Sequence, residues 1–476
     1  MITRRRWLCA LLAALLIAAY PPPVMGQGAL DSGVLDIGSR FGIIDAHTDP
    51  DAAADLGVGW ERITFDWAAI QPDGPGDFRT DAVDPVWLEN AADAGREVVG
   101  LIVHTPAWAS ESGDPGAVPV GLEKSVRRSD NVWAAFVRQL AAHYAPLGVH
   151  RWIIYDTPNV RVGEGTVQFA GSESDYARLL AVAHDAITAA DPDAVIHLAA
   201  PDWWADVAAG REPFLARLLR VLQADPDAAT SGTYFDVVTV RAVNHTRLVW
   251  DVLSQTRAIL EAARLFGKPI WLETGASPTR DPNGGTPDPV LGISPSMQAD
   301  FIVQAAALGL AAGAQRIGVI QLADDPAGDQ PWGLVRADGS RRPAFDAYRA
   351  AIRLFDTTQT AARFASESAV LVTLDQDRRT IYVMWASDVL PVEFAITTAQ
   401  NDGVAGLFDV LGRFDTIQSE PFDWPAAFRV DLSAAGLDRN GFLTVAGSPQ
   451  LLVLDTVGDF FRVVYVQANG EWSRLR

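Results

Sequence analysis

The sequence has a single cysteine among its 476 residues, Cys9, which lies in an apolar run near the N-terminus. If this run is removed on export, the mature chain has no thiol, so disulfides, thiol catalysis and cysteine metal sites are excluded. Basic residues are also few: 38 Lys and Arg stand against 59 Asp and Glu, giving a net charge of −21. No segment is basic enough to follow a phosphate backbone, and we therefore expect no nucleic-acid partner.

The chain also lacks an apolar run that would span a bilayer comfortably. Its N-terminal run, Trp7–Tyr20, is short for a membrane helix, follows three arginines and precedes small residues at Val24–Gly26. This pattern predicts a secretory signal peptide over residues 1–26, and a mature chain that begins near Gln27, has no membrane span and is secreted or extracytoplasmic. An uncleaved N-terminal anchor is the alternative, because Pro21–Pro23 end the run abruptly.

Two signals for a cofactor are missing as well. No glycine-rich phosphate-binding turn follows the first predicted strand, Phe41–Ala46, as a doubly wound nucleotide-binding sheet would normally require. The histidines near predicted strand ends, His47, His104 and His245, have no spacing that forms a set of metal ligands. We therefore expect neither a cofactor nor a bound metal.

What the sequence does contain, between Phe41 and Phe355, is an alternation of short β-branched or apolar runs with longer amphipathic runs. Such alternation is typical of repeated βα units on a parallel sheet, and eight units predict a (β/α)8 barrel, placed over residues 35–355. The predicted strands are Phe41–Ala46, Trp60–Phe65, Glu97–His104, Arg151–Tyr155, Ala194–Ala199, Phe235–Val240, Pro269–Glu273 and Arg316–Leu322. Helical patterns include Trp133–Tyr144, Asp175–Ala190, Leu248–Phe266, Met297–Ala312 and Pro343–Phe355.

The remaining residues, 361–476, change character to short alternating runs separated by Gly, Asp-Gly and Asn-Gly. This pattern predicts an all-β accessory domain, most simply a sandwich, packed on the barrel. Its predicted strands include Ala369–Thr373, Thr380–Trp385, Val392–Thr397, Leu451–Val457 and Phe460–Val466.

Five segments of the barrel region, in order along the chain, resemble motifs of clan A glycoside hydrolases, especially family 39 β-xylosidase-like and cellulase-like members. They are Gly57–Pro72, Gly100–Ser110, His150–Asn159, Lys268–Ser277 and Pro331–Tyr348. The resemblance implies that Glu273 is the nucleophile on the seventh strand and that Arg62 supports it. A retaining glycosidase needs a second carboxyl group about 5–5.5 Å away, which protonates the leaving oxygen.

That second group is missing where the resemblance places it. The fourth strand of the family ends Asn-Glu-Pro, whereas this chain has Asp156-Thr157-Pro158, so Thr157 stands in place of the general acid. A threonine hydroxyl is a poor proton donor to an ether oxygen. Asp156 would face the opposite side of the sheet unless the strand has already ended, and Glu164 in the following loop is another candidate for a relocated acid.

Other positions of the expected site also depart from the family. The sixth strand has Arg241 and Val243 where the family usually has His and Tyr, and Ile153 replaces a Glu early in the fourth strand. Several changes around one barrel opening indicate that hydrolysis was impaired or altered. The predicted substrate-binding residues are those at strand ends and loops, where indole faces stack on sugar rings: Trp108, Trp203, Trp204 and Trp332, with His104, Asn159 and Arg241.

The sequence therefore predicts an exported glycoside hydrolase-like protein whose partner is a carbohydrate, either a polysaccharide or a glycoside. Whether it is an enzyme stays open at this point. One alternative is an active retaining glycosidase whose acid is Glu164 or Asp156, and the other is a non-enzymatic surface scaffold, because fold alone does not imply function.

Overall fold

The computed structural model describes residues 40–283, 292–326, 328, 330–398, 403–422, 426–437, 443–455 and 463–475. The predicted signal peptide, the end of the predicted strand Leu451–Val457 and the start of the predicted strand Phe460–Val466 lie outside the described residues. Within the described ranges, no helix is both long enough and apolar enough to cross a membrane.

Eight parallel strands close into a barrel in sequence order, which confirms the predicted (β/α)8 fold. Each strand pairs with its neighbours along the chain, and the first pairs with the eighth, in the register Phe41 with Ile317. The strands are β1 Phe41–Ile44, β2 Trp60–Asp66, β3 Glu97–Val103, β4 Arg151–Ile154, β5 Val195–Leu198, β6 Val237–Val243, β7 Ile270–Gly275 and β8 Arg316–Val319.

The helices cover the barrel, and their starts follow local capping chemistry. The helix that begins at Glu173 has a capping box, in which Ser172 and Asp175 each accept a hydrogen bond from the other's backbone N–H. The helices are α1 Pro50–Leu56, α2 Trp67–Ile70, α3 Pro85–Asp93, α4 Val132–Tyr144, α5 Glu173–Ala190, α6 Trp203–Ala208, α7 Phe214–Gln223, α8 Thr246–Ala262, α9 Pro295–Ala311 and α10 Pro343–Phe355.

Two antiparallel sheets follow the barrel and pack face to face as a sandwich. Their strands are β9 Thr360–Ala365, β10 Ala369–Asp375, β11 Arg379–Ala386, β12 Val392–Thr398, β13 Val404–Asp409, β14 Phe414–Gln418, β15 Glu420–Pro421, β16 Ala426–Leu432, β17 Gln450–Asp455, β18 Val464–Ala468 and β19 Glu471–Arg474. One sheet has the order β14-β13-β17-β11-β10-β9 and the other has the order β15-β16-β12-β18-β19.

The six-stranded sheet packs on the barrel helices, above all on α9. This helix is apolar on nearly every side, because its inner face covers the barrel and its outer face is covered by β9 and β10. Polar contacts also join α9 to the C-terminal region: Gln304 Nε2 donates to the carbonyl of Gly447 at 2.7 Å, and Ser448 Oγ donates to Asp300 at 2.7 Å. The exact division of the chain into domains at residues 355 and 361 stays a prediction.

Aromatic side chains fill the barrel interior below the C-terminal ends of its strands. The Trp60 indole lies 5.1 Å from that of Trp271, and it packs so closely on Gly42 and Gly318 that an added Cβ would lie 2.1 and 2.5 Å from its ring. Only glycine fits at these two positions. Side chains on a strand alternate between faces, so the next inward-facing residues above Trp60 and Trp271 are two positions along, at Arg62 and Glu273.

Candidate active site

Glu273 lies on β7 inside the barrel, where only 2% of the residue is exposed. Arg62 Nη1 donates to its Oε1 at 2.5 Å, while Arg241 donates to its Oε2 from Nη2 at 2.7 Å and from Nε at 3.1 Å. Burial alone would raise the pKa of Glu273, but the guanidinium groups of Arg62 and Arg241 outweigh it and hold that pKa below its usual value. The carboxylate is therefore ionised, as a nucleophile must be.

Arg241 connects Glu273 to the end of the fourth strand. Arg241 pairs in register with Glu273 across β6 and β7, and its Nη2 and Nη1 donate to the Asp156 carboxylate at 3.0 and 3.3 Å. Arg62, Glu273, Arg241 and Asp156, which we call the mouth network, thus form a continuous chain of ion pairs across the barrel opening. One guanidinium lies between the two carboxylates.

The end of β4 explains why Asp156 reaches this network. The strand ends at Ile154, and Tyr155 and Thr157 have left-handed φ angles of 63° and 36°. Because strand geometry is lost before Asp156, the alternation of faces no longer turns its carboxylate away from the opening. The backbone N–H of Thr157 donates to Asp156 Oδ1 at 2.9 Å. The Asp156 carboxylate therefore stabilises the turn that contains it and also binds Arg241.

Glu164 belongs to a different set of contacts. Arg211 binds its two carboxylate oxygens at 2.5 and 2.9 Å, and the backbone N–H of Arg161 donates to it at 3.0 Å. These bonds, led by that from Arg211, hold the pKa of Glu164 below its usual value. Arg211 also binds Asp206 on α6, so Glu164 is fixed to the helix that follows β5. No described contact joins it to the mouth network.

His104 and Asp66 form a second pair at the barrel opening, at the ends of β3 and β2. His104 Nδ1 lies 2.8 Å from Asp66 Oδ2, and each side chain is more than one-third exposed. The hydrogen bond to Asp66 raises the pKa of His104 above its ordinary value, against the opposing effect of partial burial. His104 directly follows β3, and β3 pairs with β4 up to Ile154. His104 therefore lies beside the turn that contains Asp156.

No protein-family model and no curated protein sequence matches the chain. Solved structures do match its fold. A family 39 glycoside hydrolase from Bacteroides cellulosilyticus WH2 is 14% identical, with a TM-score of 0.63 over 88% of this chain and 82% of that one. A GH30 endoxylanase from Clostridium papyrosolvens C71 is 12% identical, with a TM-score of 0.56 over 90% and 97% of the two chains. The chain has the clan A glycoside hydrolase fold.

A glucosidase from Croceicoccus marinus gives a similar result, with 13% identity and a TM-score of 0.56 over 87% of this chain and 95% of that one. At these identities the likeness establishes the clan A fold and not an activity. In (β/α)8 barrels the active site lies at the C-terminal ends of the strands. The mouth network lies at that end of the clan A barrel described here.

The aromatic residues predicted to bind sugar lie around the same end of the clan A barrel. Trp203 and Trp204 open α6 after β5, are both half-buried, and meet edge to face at 4.8 Å. The Trp203 N–H donates to Gln255 at 3.1 Å, and that of Trp108 donates to the carbonyl of Gln71 at 2.6 Å. Trp332, also half-buried, follows β8. Each of these four tryptophans retains some exposed surface that a sugar ring could contact.

Asn159 and the loops after β7 and β8 have mainly structural contacts. The Asn159 side chain is fully buried, and its Nδ2 and Oδ1 form hydrogen bonds with the backbone of Asp202 at 2.7 and 2.8 Å.

Arg342, also buried, binds Asp281 at 2.7 Å and Asp324 at 2.6 Å. It thereby joins the loop after β7 to the loop after β8, which contains Trp332.

Asp45 and Asp325 were not among the residues predicted from the sequence. Asp45 follows β1 directly, and the charges of Arg62, Glu273 and Asp325 act on its pKa. The sequence did offer a signal for Asp45, because this aspartate directly follows the predicted strand residues FGII. Active-site residues of barrel enzymes lie at such C-terminal strand ends. The family resemblance drew attention to the fourth and seventh strands instead.

Proposed function

We propose that the protein is an exported glycoside hydrolase-like protein that binds a glycan at the barrel opening and hydrolyses glycosidic bonds only slowly. One observation carries this proposal: the Arg241 guanidinium bridges Glu273 and Asp156. Glu273 supplies an ionised carboxylate of the kind a retaining enzyme uses as nucleophile. No group on the fourth strand complements it, because Asp156 accepts hydrogen bonds from Arg241 and Thr157 has only a hydroxyl.

Loss of the usual acid from the fourth strand changes which glycosides react readily. Departure of an alkoxide without a proton is very unfavourable, and general acid catalysis typically contributes a factor of about 10²–10⁴. Glycosides whose leaving group departs as a stable anion do not need that proton. We therefore infer slow hydrolysis of natural linkages, together with glycan binding that does not depend on Glu273.

Glycan binding is tested with a broad oligosaccharide panel followed by calorimetric titration. We expect binding to persist in Glu273→Gln and to weaken about tenfold in Trp204→Ala, because a stacked aromatic contributes about 1 kcal/mol or more. Trp472→Ala is the control, since Trp472 lies on β19 in the sheet that faces away from the barrel. A wild-type protein that binds no glycan in the panel would contradict the proposal and favour the scaffold alternative.

A further inference from the structure

We propose that Asp45 is the proton donor of this site. The inference rests on the proposed function, namely slow cleavage of glycosidic bonds with Glu273 as nucleophile. It differs from the two relocated acids that the sequence suggested, because Asp45 lies at the end of the first strand and not in the loop after the fourth.

The barrel register places Asp45 two strands from the reactive carboxylate, at the same end of the barrel. Ile44 pairs with Arg62, and the Asp45 N–H donates to the carbonyl of Arg62 at 3.1 Å. On the other side, β8 lies between β1 and β7 and pairs with Glu273 through Gly318. Asp45, Arg62 and Glu273 therefore come from the C-terminal ends of β1, β2 and β7, with Asp325 following β8 between them. These are four consecutive strands of the closed barrel.

The backbone at Asp45 is itself unusual. Its φ of 59° and ψ of 46° are left-handed, a conformation that costs roughly 1 kcal/mol or more for a residue with a side chain. A glycine would adopt it freely. The surrounding fold retains an aspartate in a strained position at the barrel opening.

Asp45 also differs from the other carboxylates of the opening in its contacts. Among the described residues, its carboxyl group has no hydrogen bond and no ion pair, and its environment is purely electrostatic. Four of the others each bind a nitrogen-bearing side chain: Asp66 binds His104, Asp156 binds Arg241, Glu164 binds Arg211 and Asp324 binds Arg342. A carboxyl group with no partner is free to carry a proton and to donate it to a bound ligand.

The charges around the two carboxyl groups push their proton affinities apart. Burial raises the pKa of Asp45; Arg62 opposes this, and the like charges of Glu273 and Asp325 add to it. The pKa of Glu273 moves the other way, because Arg62 and Arg241 outweigh its burial. Two neighbouring carboxyl groups separated in this manner suit the two roles of a glycosidase, one as acid and one as nucleophile.

The reaction balances with these two groups alone. As the bond between C1 and the glycosidic oxygen breaks, the Asp45 proton passes to that oxygen and a Glu273 oxygen bonds to C1, so the aglycone leaves as an alcohol. The Asp45 carboxylate then takes a proton from a water molecule, whose oxygen attacks C1 and releases Glu273. Both side chains return to their starting states.

The test compares two classes of glycoside in Asp45→Asn and in Asp45→Gly, the latter suiting the left-handed backbone and protecting against misfolding. Alkyl glycosides require a proton donor, whereas dinitrophenyl glycosides do not. We expect a loss of about 100-fold or more in kcat/KM for alkyl glycosides, disappearance of the basic limb of their pH profile, and a dinitrophenolate burst rate that changes less than about threefold. The control is Asp51→Asn, which removes an exposed charge on α1 and is expected to change neither rate.

Other results would overturn the assignment. Unchanged alkyl glycoside cleavage in both Asp45 variants, an equal loss with both substrate classes, or a wild type that releases dinitrophenolate yet cleaves no alkyl glycoside would each show that Asp45 is not the donor. In those cases the proposed function would stand. A wild type that neither binds glycans nor releases dinitrophenolate would instead refute the proposed function, and the assignment of Asp45 with it.

Discussion

Replacing Arg241 with Met is expected to lower the free energy of unfolding by about 3 kcal/mol, because it removes the shared partner of two carboxylates. Glu273 would keep only Arg62, and Asp156 would lose its ion pair. Urea unfolding at neutral pH measures the change. The matched control is Arg220→Met on the surface of α7, whose guanidinium binds only Glu212 among the described residues and is expected to contribute little.

A double-mutant cycle separates the stability contributed by the ion pair between Arg241 and Asp156 from the stability lost through poorer packing. Arg241→Met combined with Asp156→Asn should cost less than the sum of the two single changes, by about 1–2 kcal/mol, because the same ion pair is counted in both. Additive effects, or an Arg241→Met protein as stable as wild type, would mean that the bridge across the opening contributes nothing to the fold.

The second large effect concerns stability at acid pH and depends on His197. This residue on β5 has no exposed surface, its ring meets Trp271 edge to face at 4.7 Å, and neither ring nitrogen has a hydrogen-bond partner among the described residues. Burial, with smaller contributions from Arg151 and Arg316, holds the pKa of His197 well below its ordinary value. The ring is neutral in the folded protein.

The sign of the pH effect follows from this lowered pKa. Below about pH 6.5 the unfolded chain protonates His197 while the folded chain does not, so acid favours unfolding. One such proton costs about 1.4 kcal/mol for each pH unit below 6.5, until the folded pKa is reached. We therefore expect wild type to lose stability through this residue as the pH falls from 6.5 towards 4.5.

His197→Leu isolates that contribution. The variant should equal or exceed wild-type stability at pH 8, because it removes two unpaired buried nitrogens. Its advantage should then grow as pH falls to 4.5. His47, whose pKa burial lowers to about 4, adds an acid sensitivity of the same sign to both proteins and cancels in the difference. Parallel stability curves for the two proteins would show that His197 is protonated, or hydrated, in the fold.

The sequence predicted elements well where the signal is local. The helix Pro343–Phe355 is observed with its predicted bounds, since a proline at its first turn marks the start and an amphipathic pattern follows. The predicted β8 extends three residues too far, to Leu322, because the apolar run continues after the barrel pairing ends at Val319. Apolar character alone does not show where a strand loses its partner.

The site was less predictable because its contacts join distant parts of the chain. Arg62 and Glu273 are 211 positions apart, and Arg241 and Asp156 are 85 apart. Resemblance to a family suggested Glu273 and Arg62, whereas Arg241 was predicted as a departure from a His and as a substrate-binding residue. That Arg241 would bridge two carboxylates depends on the closed barrel and on the early end of β4 at Ile154. The barrel was predicted from the alternation of strands and helices, whereas the end of β4 at Ile154 was left open by the sequence.

We propose that the nucleophile half of a retaining glycosidase is present without the usual acid from the fourth strand. The most direct test uses dinitrophenyl glycosides, whose leaving group needs no proton, with and without azide, for wild type and Glu273→Gln. We expect a burst of dinitrophenolate from wild type, faster turnover when azide is added, and a loss of about 100-fold or more in the variant. Release no faster than the variant's background on every sugar tested would contradict it.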